Sequence, residues 1–244
     1  MGNEKSQKLK FALIIPMYNE SGNVEPCIKR ANEVFEEHGL DAEIIVVNDG
    51  SADNTAEEIE SVRKQYKNIH LKNHEVNKGF GAARKTGMAA ALEIGGYEFV
   101  MFMDADMTMD PKYAVDFHNK IRDGYDFVIG SRFIEGGGMQ NVPLYRAMVS
   151  WVGGAILRVS FRLGIKDYTQ GFRAIRTSIV EKFDLKEDGF PIIVEEVYQG
   201  RRYTKRFGEV PFILTTRKVG VSKFNYTPKV FLKYLSYAAK AWVG

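Results

Sequence analysis

The chain has 244 residues, a length that suits one large α/β domain or two small ones. Its 45% hydrophobic and 27% charged residues are ordinary for a globular protein and exclude global disorder or a collagen-like repeat. The single cysteine, Cys27, excludes a disulfide framework and fits a reducing compartment, and the net charge of +3 is too small to indicate a nucleic-acid partner.

Targeting and membrane-spanning signals are absent from the pattern of the chain. No apolar run approaches the roughly 18 residues that a spanning helix requires. The segment 1–9 is polar and is not followed by a long apolar stretch, so it does not have the pattern of a signal peptide. The sequence therefore predicts a cytoplasmic protein, and contact with a membrane surface is a separate question.

Short apolar runs alternate with amphipathic patterns along the first half of the chain. The predicted strands are 11–15, 43–47, 69–73, 99–103 and 127–129. The predicted helices are 24–35, 53–66 and 81–92, followed by one that begins at Asp110-Pro111. This alternation predicts an α/β fold with a doubly wound, mostly parallel, Rossmann-like sheet and helices on both faces.

Polar residues follow three of these strands, in the segments 16–20, 48–51 and 104–106. Ligands of such sheets bind at the carboxyl ends of the strands, so the three segments are expected to meet at one crevice. Asp104 and Asp106 follow five apolar residues and are suited to a hard divalent ion, Mg²⁺ or Mn²⁺. The alternative is a strand end with a solvated turn that leads into the next helix.

The other two segments have similar alternatives. Asp49 could accept hydrogen bonds from a nucleotide base or ribose, or serve only turn and capping chemistry. Tyr18 could stack on a base and Glu20 could accept from it, or the segment could be a simple strand exit. Residues 77–84 do not form a dinucleotide fingerprint, because Arg84 stands at the third glycine position, but a flexible glycine turn near a nucleotide stays open.

The motifs together resemble a known family. Residues 16–20, 47–51, 77–84 and 104–106, in this order and spacing, resemble the family two inverting glycosyltransferases with the GT-A fold. The later motifs are similar to those of its dolichol-phosphate mannose synthase branch; they are 129–132, 136–138, 142–146, 167–173, 208–211 and 216–223. The resemblance covers roughly residues 10–229.

The resemblance implies a role for individual residues. Those implied for the nucleotide sugar are Pro16, Tyr18, Glu20, Val47, Asp49, Asp104, Ala105, Asp106, Arg132, Arg217 and Lys223. Those implied for catalysis are Asp104, Asp106, Arg217 and Lys223, with Arg132 and Arg146 implied for an acceptor phosphate. Asp106 is implied as a metal ligand, with Thr108 where the family has a glutamine ligand.

The implied activity is metal-dependent, inverting transfer of mannose from GDP-mannose to dolichyl or another polyprenyl phosphate, giving a β-mannosyl phospholipid. An acceptor phosphate is already ionised near neutral pH and needs no strong general base. In agreement, none of the four histidines lies in these motifs, and each is expected at the surface or in a turn. The alternatives are a related transferase that uses another donor such as UDP-glucose, and a catalytically inactive nucleotide-sugar-binding protein.

A lipid acceptor requires contact with a bilayer, and the C-terminal residues could supply it. The sequence predicts a polar tail (1–9), a catalytic domain (10–227) and an amphipathic interface helix (228–244). On the predicted helix, Phe231, Leu235, Ala238 and Trp242 share one face, opposite Lys229, Lys233 and Lys240. Residues 146–161 form a second candidate for membrane contact, and the expected location is peripheral, on the cytosolic face of a membrane. The alternative is a last helix packed on the domain.

Overall fold

The computed structural model describes residues 9–141, 144–217 and 227–243, and for residues 144–150 the backbone only. The strands in these residues are β1 (Phe11–Met17), β2 (Ala42–Asp49), β3 (Ile69–His74), β4 (Phe99–Phe102), β5 (Phe127–Ser131), β6 (Gly138–Met139), β7 (Arg173–Arg176), β8 (Phe207–Pro211) and β9 (Ile213–Leu214). The helices are α1 (Val24–His38), α2 (Thr55–Gln65), α3 (Phe80–Ile94), α4 (Ala114–Arg122), α5 (Leu144–Phe161), α6 (Thr177–Val180), α7 (Ile192–Gly200) and α8 (Pro228–Val243). A 3₁₀ turn, Pro111–Tyr113, leads into α4, and the Asp110 side chain caps it.

Seven strands form one sheet in the order β3-β2-β1-β4-β7-β5-β8. All neighbours are parallel except β7, which runs antiparallel to both β4 and β5. The five predicted strands and the mostly parallel sheet are confirmed, whereas the reversed strand was not predicted. The two short strands β6 and β9 pair separately and lie beside the C-terminal edge of the sheet.

The sheet separates two hydrophobic cores, because successive side chains of a strand point to opposite faces. One core packs α1, α2 and α4 against side chains such as Leu13 and Met101. The other packs α3, α5, α7 and α8 against side chains such as Ile14 and Phe102. Helices therefore cover both faces of the sheet, as the sequence predicted.

Helix α8 packs on the domain through one face. Its buried residues are Tyr234, Tyr237, Ala238 and Ala241, and its neighbours are α5 and α7. The prediction that Ala238 lies on an outward apolar face is therefore wrong, since that position is needed for packing. The exposed apolar side chains of α8 include Phe231, Leu232 and Trp242, and those of α5 include Trp151 and Val159. In the described ranges, no helix combines the length and the apolar character that crossing a membrane requires.

Candidate active site at the carboxyl edge of the sheet

The loop after β1 is bound tightly to the turn after β2. The Asn19 amide donates to Ser51 Oγ at 3.0 Å, and the Asn19 side chain accepts from the Ala52 amide at 2.8 Å. The Glu20 amide donates to Thr55 Oγ1 at 2.8 Å, so the start of α2 also holds this loop. Two of the three predicted segments therefore meet at one edge, and the polar residues of each serve to join them.

The third segment, at the end of β4, brings two carboxylates to the same edge. Asp106 is only 8% exposed, and its Oδ1 accepts from the Thr108 hydroxyl at 2.7 Å and the Thr108 amide at 3.1 Å. Met107 between them has a φ of +59°, which bends the backbone so that Thr108 folds back onto Asp106. Burial, reinforced by the negative charge of Asp106, raises the pKa of Asp104. This edge of the sheet therefore concentrates negative charge that a cation would stabilise.

Arg217 supplies such a cation. Its Nε and Nη2 lie 3.1 and 2.9 Å from Asp106 Oδ2. Its Nη1 donates to both oxygens of Glu20, at 3.1 and 3.2 Å, and Nη2 donates to Glu20 Oε1 at 3.2 Å. One guanidinium thus joins the end of β1 to the end of β4, and all three of its nitrogens are engaged.

Arg217 comes from far along the chain, and a short ladder brings it to the site. β9 pairs with β6, and directly after β9 the Thr215 amide donates to the Thr108 carbonyl oxygen at 3.1 Å. This hydrogen bond places residues 215–217 beside the acidic segment. The structure places Arg217, expected at the diphosphate, beside Asp106, expected as a metal ligand; the pairing of Arg217 with Glu20 was not predicted.

The residues at this edge fit a divalent cation. Among the described residues, no three His, Cys, Asp or Glu side chains are grouped as a closed metal site. Asp104 and Asp106 nevertheless offer carboxylate oxygens, the ligands that Mg²⁺ and Mn²⁺ prefer, and the guanidinium at Asp106 shows that a cation is stable there. An ion held here would need further oxygen ligands, and a diphosphate can supply them.

Asp49, expected either as an acceptor for a base or ribose or as a turn residue, contacts the end of β3 and the loop that follows it. Its carboxylate is 2% exposed; Oδ1 contacts His74 Nδ1 at 2.6 Å and accepts from the Lys78 amide at 2.9 Å. Oδ2 accepts from the Asn77 side chain at 3.0 Å and the Gly79 amide at 2.9 Å. The structure therefore engages both oxygens of Asp49 in holding the next loop.

His74 was missed by the sequence reasoning. Its side chain is 6% exposed, and Nε2 contacts Thr86 Oγ1 at 2.8 Å while Nδ1 contacts Asp49. His118 is buried as well, so the prediction that every histidine lies at the surface or in a turn is wrong. The contact could have been predicted from the register of the sheet, because Asp49 and His74 are paired residues at the ends of the adjacent parallel strands β2 and β3.

The glycine turn before α3 binds protein rather than presenting free amides. The Gly81 and Ala82 amides both donate to the Asp188 carbonyl oxygen, at 2.6 and 3.1 Å. A Cβ on Gly81 would lie 2.5 Å from the Glu187 carbonyl oxygen, so only glycine allows this approach. The loop 186–188 is in turn fixed by Glu195, which accepts from the Lys186 and Glu187 amides. The flexible turn considered for residues 77–84 is therefore a packed junction.

Two arginines of the motifs are buried under the site and share one carboxylate. Arg84 donates to both oxygens of Glu196 at 2.8 Å, and Arg173 Nη1 donates to Oε2 at 3.1 Å. All three residues are at most 1% exposed, and Arg84 also lies over the Phe102 ring at 3.6 Å. Burial lowers the pKa of Arg173 to about 10, so it stays charged at neutral pH. This triad fixes α3, β7 and α7 to one another.

The remaining predicted residues are placed as follows. Arg132, after β5, forms a two-point ion pair with Asp167, with Nε–Oδ2 at 2.7 Å and Nη2–Oδ1 at 2.9 Å. Pro16 and Tyr18 are half-buried at the edge, whereas the Val47 and Ala105 side chains are in the cores. Arg146 lies in the first turn of α5, where only the backbone is described, and Lys223 lies outside the described residues.

Comparison with known proteins identifies the family of this chain. The family model described as "Glycosyl transferase family 2" matches residues 12–184, which include the strands that carry the acidic segments. The chain belongs to glycosyl transferase family 2. The GT-A fold expected from the motifs agrees with its solved structural neighbours.

Three relatives of known name illustrate this membership. A dolichol-phosphate mannosyltransferase of Pyrococcus furiosus is 35% identical over 97% of this chain, and this chain spans 65% of that relative's length. An undecaprenyl-phosphate mannosyltransferase of Micrococcus luteus is 30% identical over 89% of this chain and 88% of its own length. A polyprenol monophosphomannose synthase of Mycolicibacterium smegmatis is 31% identical over 87% of this chain and 80% of its own length.

Solved structures share the fold at much lower identity. Glucosyl-3-phosphoglycerate synthase of Mycobacterium tuberculosis, in complex with Mn²⁺, UDP and phosphoglyceric acid, superposes with a TM-score of 0.71 at 14% identity. The superposition covers 96% of this chain and 78% of that one. Staphylococcus aureus TarS in complex with UDP-GlcNAc gives a TM-score of 0.64 at 19% identity, over 96% of this chain and 66% of that one. At these identities the likeness concerns the fold alone.

Proposed function

We propose that this glycosyltransferase moves mannose from GDP-mannose to a polyprenyl phosphate such as dolichyl phosphate. The observation that carries the proposal is the edge where Asp106, Glu20 and Arg217 meet, a site with carboxylates for a metal ion and a guanidinium for a diphosphate. The names of the three relatives support mannose as the sugar and a polyprenyl phosphate as the acceptor.

The donor would lie across the ends of β1, β2 and β4. Pro16, Tyr18 and Glu20 border the side where the base and ribose would bind, with Val47 and Asp49 beneath it. Asp104, Ala105 and Asp106 would face the ribose and diphosphate, and Asp106 with Thr108 would hold Mg²⁺ or Mn²⁺. When bound, that ion would neutralise negative charge on the departing diphosphate.

The protein's own residues would complete charge stabilisation and orient the acceptor. Arg217, and Lys223 in the segment that follows it, would contact the diphosphate and stabilise it as the bond to mannose breaks. Arg132, held in one orientation by Asp167, and Arg146 would bind the acceptor phosphate. Direct attack by a phosphate oxygen on the anomeric carbon inverts its configuration and gives a β-mannosyl phospholipid.

The acceptor would be reached at a membrane surface. Exposed Trp151 and Val159 of α5 and Leu232 and Trp242 of α8 would enter the headgroup region, with Lys229 and other cationic side chains facing anionic lipids. The Arg162 guanidinium lies 4.7 Å from the centre of the Trp242 ring, which brings the C-terminal ends of both helices together. This arrangement supports peripheral attachment to a membrane, and we place that membrane contact on the cytosolic face.

The direct test is transfer of radiolabelled mannose from GDP-mannose to a short polyprenyl phosphate, with Mn²⁺ and with a chelator. We expect labelled lipid only with the metal, and loss of at least about a hundredfold in activity for Asp106→Asn. Asp116→Asn makes the same chemical change at an exposed position of α4 and should be neutral. Transfer from UDP-glucose with none from GDP-mannose would refute the choice of donor.

Vesicle flotation tests the surface independently of catalysis. Wild-type protein should float with vesicles that contain anionic lipid, and the paired change Leu232→Ser with Trp242→Ser should reduce the bound fraction several-fold. Val76→Ser removes an equally exposed apolar side chain from the loop after β3, outside α5 and α8, and serves as the control. Equal flotation of all three proteins would contradict this assignment of the surface.

A further inference from the structure

Both oxygens of Asp106 are in contact with donors of the protein itself. Oδ1 accepts two hydrogen bonds from Thr108, and Oδ2 contacts Nε and Nη2 of Arg217. Three hydrogen bonds and an ion pair with the same guanidinium thus engage both oxygens of the Asp106 carboxylate. A divalent ion that binds Asp106 Oδ2 must therefore compete with the Arg217 guanidinium.

Of these donors, Arg217 is the one that can leave. Thr108 is two residues from Asp106 and is held by the backbone bend at Met107, whereas Arg217 reaches the site on a long side chain from a separate segment. The Arg217 side chain is 15% exposed and pairs with two carboxylates that are themselves 7% and 11% exposed. If it left, one positive charge would be lost beside two carboxylates, and another cation at Asp106 would compensate for that loss.

We propose that Arg217 is the resident cation at Asp106 and Glu20, and that it makes binding of the metal ion dependent on the nucleotide. Without a nucleotide, its positive charge competes with the ion for Asp106 and repels it. A nucleoside diphosphate changes this balance, because it offers the guanidinium an anion that can be bound through two parallel hydrogen bonds. Arg217 would then leave the carboxylates, Asp106 would be able to hold a divalent ion, and the same side chain would strengthen binding of the diphosphate.

This inference rests on the proposed function and predicts a reversal of sign. Without nucleotide, Arg217→Gln should bind Mn²⁺ at least about tenfold more tightly than the wild type, because the competing cation is gone. With GDP present, Arg217→Gln should bind the Mn²⁺–GDP pair at least about tenfold more weakly, because a diphosphate contact is gone. A side chain that only stabilises the fold would weaken both, and one that only binds donor would change the second alone.

The experiment is a titration of Mn²⁺ followed by electron paramagnetic resonance of the free ion, with and without GDP at fixed pH. Arg217→Lys keeps the charge and should stay within about threefold of the wild type for Mn²⁺ alone. Arg63→Gln removes the same charge from an exposed ion pair on α2 and should leave both affinities unchanged. Thermal unfolding of each variant checks that it is folded.

The outcomes separate the two proposals. If Arg217→Gln binds Mn²⁺ alone no more tightly than the wild type, or if Arg217→Lys binds it as tightly as Arg217→Gln, the resident-cation inference is wrong. If the folded wild type binds no GDP with Mn²⁺, the proposed donor site fails, whatever the result with Mn²⁺ alone. Tighter Mn²⁺ binding without GDP together with weaker binding of Mn²⁺–GDP supports the inference.

Discussion

The buried triad of Arg84, Glu196 and Arg173 gives a sharp prediction about stability. Glu196→Gln keeps the size and shape of the side chain but removes the negative charge from between two buried guanidinium groups. It also replaces one acceptor oxygen with an NH₂ group that faces N–H donors. Three hydrogen bonds to a charged acceptor, at 2.8, 2.8 and 3.1 Å, are weakened or lost.

The expected size of the effect follows from the burial of the group. A hydrogen bond to a charged partner contributes about 1.5–3 kcal/mol, and breaking a buried pair by changing one partner costs about 3–5 kcal/mol. Backbone oxygens of Gln170 and Ile193 also accept from Arg173, and that of Gly171 accepts from Arg84, so neither arginine loses every partner. We therefore expect Glu196→Gln to lower the free energy of unfolding by about 3–4 kcal/mol.

Urea unfolding followed by circular dichroism measures this quantity. Glu60→Gln is the control, because it removes an exposed ion pair with Arg63 and should cost less than about 0.5 kcal/mol. A loss below about 1 kcal/mol for Glu196→Gln, with an unchanged dependence on urea, would refute the view that this carboxylate neutralises two buried charges.

Three further changes test other parts of the structure. Gly81→Ala should destabilise the protein by about 1–3 kcal/mol, because the new Cβ would lie 2.5 Å from a backbone oxygen. Gly153→Ala lies in a helix with open space around it and should stabilise the protein by about 0.5–1 kcal/mol. Thermal unfolding measures both changes, and equal effects would contradict the packed turn. Burial favours a higher pKa for Glu43, but hydrogen bonds from neighbouring side chains outweigh it and hold the pKa at about 2. The Glu43 carboxylate therefore contributes stability above its unfolded pKa of about 4.3, and this stability is lost as the pH falls towards about 2. Glu43→Gln should cost about 1–2 kcal/mol of unfolding free energy at pH 7 and little at about pH 2. A cost that does not change with pH would contradict this role of the carboxylate. Thr108→Val removes the hydroxyl that donates to Asp106 and should weaken binding of Mn²⁺–GDP about five- to tenfold, as measured by calorimetry. Thr108→Ser keeps the hydroxyl and should bind with an affinity close to that of the wild type. Unchanged affinity of the valine variant would exclude a role for the hydroxyl.

The first half of the fold could be predicted because its signals are local. Each of the runs 11–15, 43–47 and 99–103 is apolar without interruption, as expected for a parallel strand buried on both faces. Because these runs predict parallel strands, the polar residues that follow them could be assigned to the carboxyl edge of the sheet. β7 could not be found in this way: its sequence is Arg-Ala-Ile-Arg, and its direction depends on pairing with β4 and β5, which no local pattern records.

The site was predictable in its residue types and less so in its pairings. Asp106 and Arg217 were expected near each other, but Glu20 as the second partner of Arg217 depends on a contact across 197 positions of the chain. Arg84 and Arg173 were noted as motif residues, whereas Glu196, which neutralises both, lies in no motif and is recognised only by its burial. Conversely, α8 has an amphipathic pattern that fits packing as well as membrane contact, and only tertiary contacts distinguish which face is covered.

The reversed direction of β7 determines which of its flanking residues lie at the carboxyl edge of the sheet. A parallel strand delivers the residues that follow it to the carboxyl edge, but β7 delivers the residues that precede it, among them Asp167 beside Arg132. After α5 the polypeptide therefore reaches the carboxyl edge of the sheet and enters β7 directly from that edge, without a crossover to the opposite edge. Insertions between β5 and β7 would accordingly reshape the surroundings of Arg132 and Asp167 while the parallel strands β1, β2 and β4 keep their spacing.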